Sequence, residues 1–548
     1  MTGLAPVGTK NVAAGRVEQV ILPNVQLRDT DEEQFEDNAD EYIRRDLEGS
    51  DVDTRRHAAC HLIKSLCKHF EEKVIEIFNK FIQQMLSEYQ QNPSTRWRDK
   101  DAALFLILSL ASRGKTERYG ITKISGLVNI TDIYWTQVAS ELKHTSPCYP
   151  MLEATAITYV LHFRSLLSSD VLADAISSVT GLLLSSSRVV NTYAAAFCEK
   201  ILFMTNSSPQ SLQLDSIKPH IQSLLANLIH MLGVQGNEDN EYAMKCVMRL
   251  IVKSGTDQAA CVEKVIPVLV DKLWKASKNP TKPHFNHFLF EAIGASIRGV
   301  CTQHPSAVTS FEQCLFPVFE DIMVRDVLEF LPYNFQLLAL MLELRDQPIA
   351  ESYTAIFPLI LSPMLWERIG TVPALSRLMQ AFIQKCPEAI QAEGKVHAIL
   401  GVFQKLLASK SNDHEGFNIL TSLLQYQGAE IVRPFLTDIL ILCFKRLQES
   451  RTIFYVRGLT KSFCSLVISF GPVDIMNTID SIQGNLFGML IEKVFIPEIP
   501  GVTAKDEEKR ICVVGVMQIL TQTPAMLQEP QYQKLVIYIY ASRNAFFC

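Results

Sequence analysis

The stretch Pro283–Val300 reads PHFNHFLFEAIGASIRGV, and its spacing decides the fold. Phe285, Phe288, Leu289, Ala292, Ile293, Ile297 and Val300 recur at steps of three and four. Such steps line up along one side of a 3.6-residue helix, whereas a half-buried strand needs alternation by two. The pattern predicts an amphipathic helix entered through a proline, which suits a first helical turn. The same kind of segment returns along the chain. After Asp53, Ala58, Ala59, Leu62, Ile63, Leu66, Cys67 and Phe70 form two adjacent columns, and after Phe330, Leu331, Phe335, Leu338 and Leu342 repeat the spacing. Starts fall near residues 53, 99, 151, 190, 239, 284, 331, 372 and 413. Each interval leaves room for a second amphipathic helix, such as Cys261–Lys275 or Phe311–Met323, with Pro219, Pro317 and Pro358 expected near first turns.

Two helices per roughly 40–50 residues is the period of HEAT and armadillo repeats. One such pair leaves its apolar face in water, and stacking pairs side by side removes it. The expected fold class is therefore all-α, a HEAT-repeat right-handed α-α superhelix (solenoid). Separate helical bundles are the alternative, and the unbroken spacing favours the solenoid. Regular Val/Ile-rich strands followed by Gly-rich turns are absent from the pattern.

Composition agrees. The 548 residues are 48% apolar and 20% charged, enough to bury a large core. Formal charge is -6, so no overall basic field exists to hold nucleic acid or an anionic membrane. Aromatic and basic residues are not interleaved in any stripe, which also speaks against RNA. The 13 cysteines are odd in number, scattered and without a C-x-x-C pair, as expected of reduced, buried thiols. Asn129 and Asn206 match the glycosylation pattern, read here as chance. The uncharged runs Pro219–Asn237 and Ile511–Gln528 carry too many amides and histidines to span a bilayer.

The acidic excess is local. Residues 1–60 hold 13 Asp/Glu and 7 Lys/Arg, and the remainder is balanced. Within it, Asp29–Asp53 reads DTDEEQFEDNADEYIRRDLEGSDVD, with few apolar side chains. A segment of that composition gains little by burial, so it is expected as a loop or a partner-bound insertion. Its carboxylates would dock a basic partner, Phe35 and Tyr42 would anchor the contact, and Arg44 and Arg45 would pair with carboxylates.

Catalytic signals are weak. Gly3–Lys10 resembles a P-loop with its last two residues exchanged and lacks the flanking strand and helix. His57, Cys60, His61, Cys67 and His69 share one helix, but Cys60 and Cys67 continue the apolar columns, so core packing is the better reading than zinc. The same holds for His284, His287 and Glu291, which have no third ligand of known position. There is no G-x-S-x-G, H-E-x-x-H, Rossmann or EF-hand pattern. The chain is not expected to be an enzyme or to need a cofactor or metal.

Several longer stretches resemble one known family. They are ILPNVQLR (Ile21–Arg28), the run from Phe35 to Cys60, NPSTRWRDKDAALFL (Asn92–Leu106) and SKNPTKPHFNHFLFEAI (Ser277–Ile293). LWERIGTVPAL (Leu365–Leu375), LGVFQKLLASKSNDHEGF (Leu400–Phe417) and FGMLIEKVFIPEI (Phe487–Ile499) continue it. Together they look like the CAS exportin family of the importin-beta/karyopherin superfamily. The resemblance spans roughly residues 16–533 and lacks the family's N-terminal third, so the chain reads as a fragment. It implies a divergent leader at 1–15, central exportin HEAT repeats at 16–188 with the acidic insertion at about 29–53, C-terminal exportin repeats at 189–534, and a divergent tail at 535–548.

The resemblance also implies function: a receptor that exports importin-alpha from nucleus to cytoplasm with Ran-GTP, closing around both and releasing them when Ran hydrolyses GTP. It implies shuttling between nucleus and cytoplasm past nuclear pore FG-repeat proteins, with neither nucleic acid binding nor membrane insertion. The family's insertion lies near Ran and cargo, which makes Phe35, Glu36, Asp37, Tyr42, Arg44, Arg45, Asp46, Glu48, Asp51 and Asp53 the candidate partner contacts. Two other readings stand beside it: a HEAT scaffold that binds independently of nucleotide, and a karyopherin for a different cargo.

Overall fold

The computed structural model describes residues 17–47, 54–114, 116–117, 120–143, 149–205, 212–254, 258–346, 348–392, 394–498 and 506–524. The chain forms two compact units, Met1–Val300 and Cys301–Cys548. Helices of eight or more residues are labelled in chain order. The first unit carries α1 (Asp29–Asp37), α2 (Ala39–Leu47), α3 (Arg55–Gln91), α4 (Pro93–Ala111), α5 (Pro150–Phe163), α6 (Ser169–Leu182), α7 (Arg188–Met204), α8 (Ile221–Gly233), α9 (Glu241–Lys253) and α10 (Gln258–Lys278), and α11 (Pro283–Gln303) begins in it. The second carries α12 (Val308–Val324), α13 (Leu331–Leu344), α14 (Glu351–Ile360), α15 (Val372–Lys385), α16 (Lys395–Leu407), α17 (Asp413–Gln427), α18 (Leu436–Glu449), α19 (Ile453–Phe470), α20 (Pro472–Ile482) and α21 (Asp506–Gln522).

Inside each unit, helices joined by short turns fold back on one another in pairs. The trailing helices of the pairs form one row: α4, α5, α7 and α9 pack in succession in the first unit, and α13, α15, α17, α19 and α21 in the second. The leading helices form a second row, with α8 against α6 and α10, and α18 against α16 and α20. This is the two-layered arrangement of a HEAT array. The segment beginning near 151, 190, 239, 284, 331, 372 and 413 in the sequence is the trailing helix in every case.

The trailing row is the drier one. Along α7, Val190, Ala194, Ala195, Phe197, Cys198 and Leu202 are all fully buried. A helix packed on two trailing neighbours and one leading helix has apolar residues almost all round. α19 is long and apolar enough to cross a membrane by composition alone, but 61% of it is buried inside the second unit, as in a core helix. Local signals set the ends. Ser187, Asn240 and Thr452 accept hydrogen bonds from the backbone N–H three residues on, capping α7, α9 and α19. At Gly471 the backbone turns to φ 85°, and Pro472 opens α20, so α19 stops there. The Asn129 side chain likewise accepts from the Asp132 N–H.

Two expectations are corrected. Pro317 lies inside α12, and Pro358 lies near the end of α14 rather than in a first turn. The apolar periodicity on either side of Pro317 (Phe311, Leu315, Val318, Ile322) buries well enough to carry the helix across it. In α3 only one of the two apolar columns is buried: Ala59, Ile63 and Cys67 face the core, while Leu62 and Phe70 are 42% and 60% exposed. The connection after α4 also holds a short antiparallel hairpin, β1 (Thr116–Glu117) with β2 (Gly120–Ile121), which leaves the all-α class unchanged. Gly120 sits at φ 110°, where a Cβ would also meet the His162 carbonyl at 3.1 Å.

Candidate partner interface

The acidic stretch expected as a loop is a pair of helices, α1 and α2, up to Leu47. Its charges are ordered rather than merely acidic. Asp29, Asp31 and Glu32 occupy the first turn of α1, and the Asp31 carboxylate accepts from the Arg28 N–H at 2.8 Å. Asp40 and Glu41 open α2, Arg44 and Arg45 close it, and Arg45 pairs with Glu41 one turn back. Carboxylates at helix starts and guanidiniums at helix ends complement the macrodipole. That polarity was the available signal, and net acidity hid it.

Few apolar residues suffice to dock the pair. Phe35 and Ile43 are each 4% exposed. The Phe35 and Tyr42 rings meet edge to face at 5.0 Å, and α2 packs on α7. Several of the carboxylates pair with bases elsewhere in the chain. Arg98 on α4 pairs with Asp29 and Glu32 at 2.8 Å each, and Arg55 on α3 with Asp31 at 2.6 Å. Arg188 at the start of α7 pairs with Asp40 at 2.7 Å, and the Tyr193 hydroxyl donates to Asp46 at 2.5 Å. Burial, reinforced by the Asp46 carboxylate, pushes both the Tyr42 and Tyr193 phenols up, so both stay protonated donors.

Beneath the pair lies a cavity of about 100 Å³, lined among others by Tyr42, Arg45, Asp46, Arg56, Phe105 and Tyr193. Asp101 is fully buried at its edge and accepts from Arg56 and Thr155 at 2.5 Å each, tying α3, α4 and α5 together. The Arg56 guanidinium also stacks over Phe105 at 4.0 Å.

The candidate contacts thus divide. Phe35, Tyr42, Arg45 and Asp46 bond or pack within the chain. Glu36, Asp37 and Arg44 are exposed. Glu48, Asp51 and Asp53 lie outside the described residues. Sequence reasoning missed the bases that hold the pair, Arg55, Arg98 and Arg188, because two of them lie far away along the chain. Among the described residues no three His, Cys, Asp or Glu side chains come together to hold a metal ion. Cys60 and Cys67 are buried in the core, where Cys60 accepts from the Ser109 hydroxyl at 2.8 Å. The described cysteines are all free thiols.

Known proteins match along nearly the whole chain. The family model described as Cse1 covers residues 8–198, and the one described as CAS/CSE protein, C-terminus, covers 199–542. Exportin-2 of Xenopus laevis is 44% identical over 522 residues, 94% of this chain and 54% of the relative. Exportin-2 of Homo sapiens is 43% identical over 530 residues, with 96% and 54% covered. The chain therefore spans about half the length of these curated relatives. A solved structure of the exportin Cse1 in its cargo-free, cytoplasmic state superposes with a TM-score of 0.82 at 29% identity, over 96% of this chain and 55% of that one. A structure of Kap95p with RanGDP shares the fold at 13% identity (TM-score 0.68), covering 99% of this chain and 61% of its own. With two adjoining family models accounting for residues 8–542 and a shared HEAT-repeat karyopherin fold, the chain belongs to the CAS/CSE protein family.

Proposed function

We propose that this chain is the central and C-terminal part of a nuclear transport receptor that exports importin-alpha from nucleus to cytoplasm in a ternary complex with Ran-GTP, the complex coming apart when Ran hydrolyses its GTP. The observation that carries this reading is 44% identity to an exportin-2 across 94% of the chain. The receptor binds and releases without a catalytic step of its own, and it shuttles between the two compartments past FG-repeat proteins of the pore. The insertion contributes through its outward side. Glu36, Asp37 and Arg44 face solvent and offer charge to a partner, with Glu48, Asp51 and Asp53 continuing the same acidic sequence. Phe35, Tyr42, Arg45 and Asp46 support that surface from below. Exposed carboxylates raise encounter rates with a basic partner and set its register more than they add affinity.

Binding of the purified chain to importin-alpha with Ran-GTP, with Ran-GDP and without Ran tests the proposal. Binding that rises with Ran-GTP alone supports it. Equal binding in all three conditions replaces it with a nucleotide-indifferent scaffold. Ran-GTP-dependent binding of another cargo, with none of importin-alpha, makes the chain a karyopherin of different specificity.

A further inference from the structure

Glu199 on α7 is 3% exposed and buried beneath an excess of positive charge. Lys200 lies 3.9 Å from its carboxylate, Lys245 on α9 4.0 Å and Arg249 3.2 Å. These are the ion pairs that the three cations make among the described residues, so one carboxylate faces three of them. Arg164, just past α5, adds to the repulsion. Burial comes first in lowering the Lys200 ammonium below its usual range, Glu199 opposes it, and Lys245, Arg164 and Arg249 add to the lowering. The cations are held rather than free to swing away. Arg249 stacks over Phe203 at 4.8 Å, and Lys245 lies over Phe288 at 5.3 Å. Both rings are half-buried. The carboxylate is below and the cations are reachable: the Lys200 and Lys245 side chains keep 43% and 31% of their surface in water.

We propose that this cluster on the trailing helices α7 and α9 docks a short acidic, aromatic-containing segment of a bound protein, whose carboxylates complete the charge that Glu199 leaves unbalanced. The occupant follows from charge and surroundings. An excess of two on three cations matches two or three carboxylates. A nucleic acid would carry one charge per ~1.7 Å and need a longer basic track, and beyond residue 60 the chain is charge-balanced. The flanking Phe203 and Phe288 rings offer apolar surface beside the charges, which suits a peptide with a ring between its acids. A partly desolvated cluster gains more from such a counter-charge than three solvated lysines would.

The test uses the intact chain and a fluorescein-labelled, C-terminally amidated synthetic peptide Glu-Glu-Phe-Glu, followed by anisotropy. It needs neither Ran nor importin-alpha, so its failure leaves the transport reading untouched. The wild type binds, and binding weakens as salt rises. The double variant Lys200→Glu/Lys245→Glu binds at least about tenfold more weakly. Glu199→Gln removes the one internal competitor and binds severalfold more tightly, although its melting temperature drops because the cations lose their partner. A merely structural Glu199 would give the drop in melting temperature without the tighter binding. If the double charge reversal does not fold, Lys200→Gln/Lys245→Gln keeps the aliphatic stems and carries the same expectation. Unchanged peptide binding in the folded variants overturns the proposal. So does a six-nucleotide single strand that binds as tightly as the peptide.

Discussion

His162, in the first unit, is half-buried against the Ser112 hydroxyl, 2.6 Å from its Nε2. Burial, with help from the charges of Lys64 and Arg164, lowers its pKa to about 4. Folding therefore favours the neutral ring. Between the unfolded value near 6.5 and the folded value near 4, the unfolded chain binds a proton that the folded chain refuses. Stability from this residue is whole above pH 6.5 and falls as pH drops, by about 3 kcal/mol at pH 4. Replacing His162→Gln should flatten the acid side of the melting profile relative to wild type, and parallel profiles would contradict this. A second residue-scale test lies in the last described helix of the second unit, α21. A Cβ on Gly515 would stand 2.7 Å from the Cys464 Cβ and 2.9 Å from its Cα. Alanine gains up to about 1 kcal/mol in helix propensity, but the clash with backbone costs about 1–3 kcal/mol. The clash wins, and Gly515→Ala should lower the melting temperature.

At the scale of elements, ion pairs to α4 and α7 add to the apolar anchors Phe35 and Ile43 in holding α1 and α2. Removing Arg188 and Arg98 together (both to Ala) takes away the partners of Asp29, Glu32 and Asp40. Partly exposed pairs are worth at most about 1 kcal/mol each. Amides of α1 and α2 should then exchange faster by about tenfold, while those of α7 stay protected. Uniform loss of protection would mean that the helices are part of the cooperative core. The α17–α18 contact is of another kind. Arg446 and Asp413 pair at 3.1 Å with both side chains 5% exposed or less. Arg446 also donates to the carbonyls of Leu407 and Ser450. Breaking a buried pair from one side costs about 3–5 kcal/mol, so Arg446→Ala should be far more destabilising than Arg188→Ala in thermal melts.

For the whole molecule, charge organisation is the common thread. The net charge of -6 arises from one N-terminal stretch, yet part of that acid is neutralised within the first unit, at Asp29, Asp31, Glu32 and Asp40. Glu33 remains outward without such a partner among the described residues, and so does the adjacent pair Glu36 and Asp37. Reversing Glu36 and Asp37 to Lys should slow assembly with importin-alpha and Ran-GTP severalfold at low salt, and the difference should shrink as salt rises. An assembly rate indifferent to both changes would remove the insertion from the interface.

The helical pairs were legible because burial in a two-layered array forces a 3.6-residue period on each segment. That period survives in Phe285, Leu289, Ala292, Ile293 and Ile297, which are all buried as their spacing demands. The repeat length and the family resemblance were equally local facts, carried by runs of neighbouring residues. What the sequence left open was decided by contacts between distant residues. Ala59 and Leu62 carry the same apolar signal, yet only Ala59 has a neighbour to cover it. Asp40 and Arg188 stand 148 residues apart and show no pattern until the fold brings them together. The acidic stretch is held in place for the same reason. Its own composition offers too little burial, and the arginines of α3, α4 and α7 supply the counter-charge only once those helices have stacked.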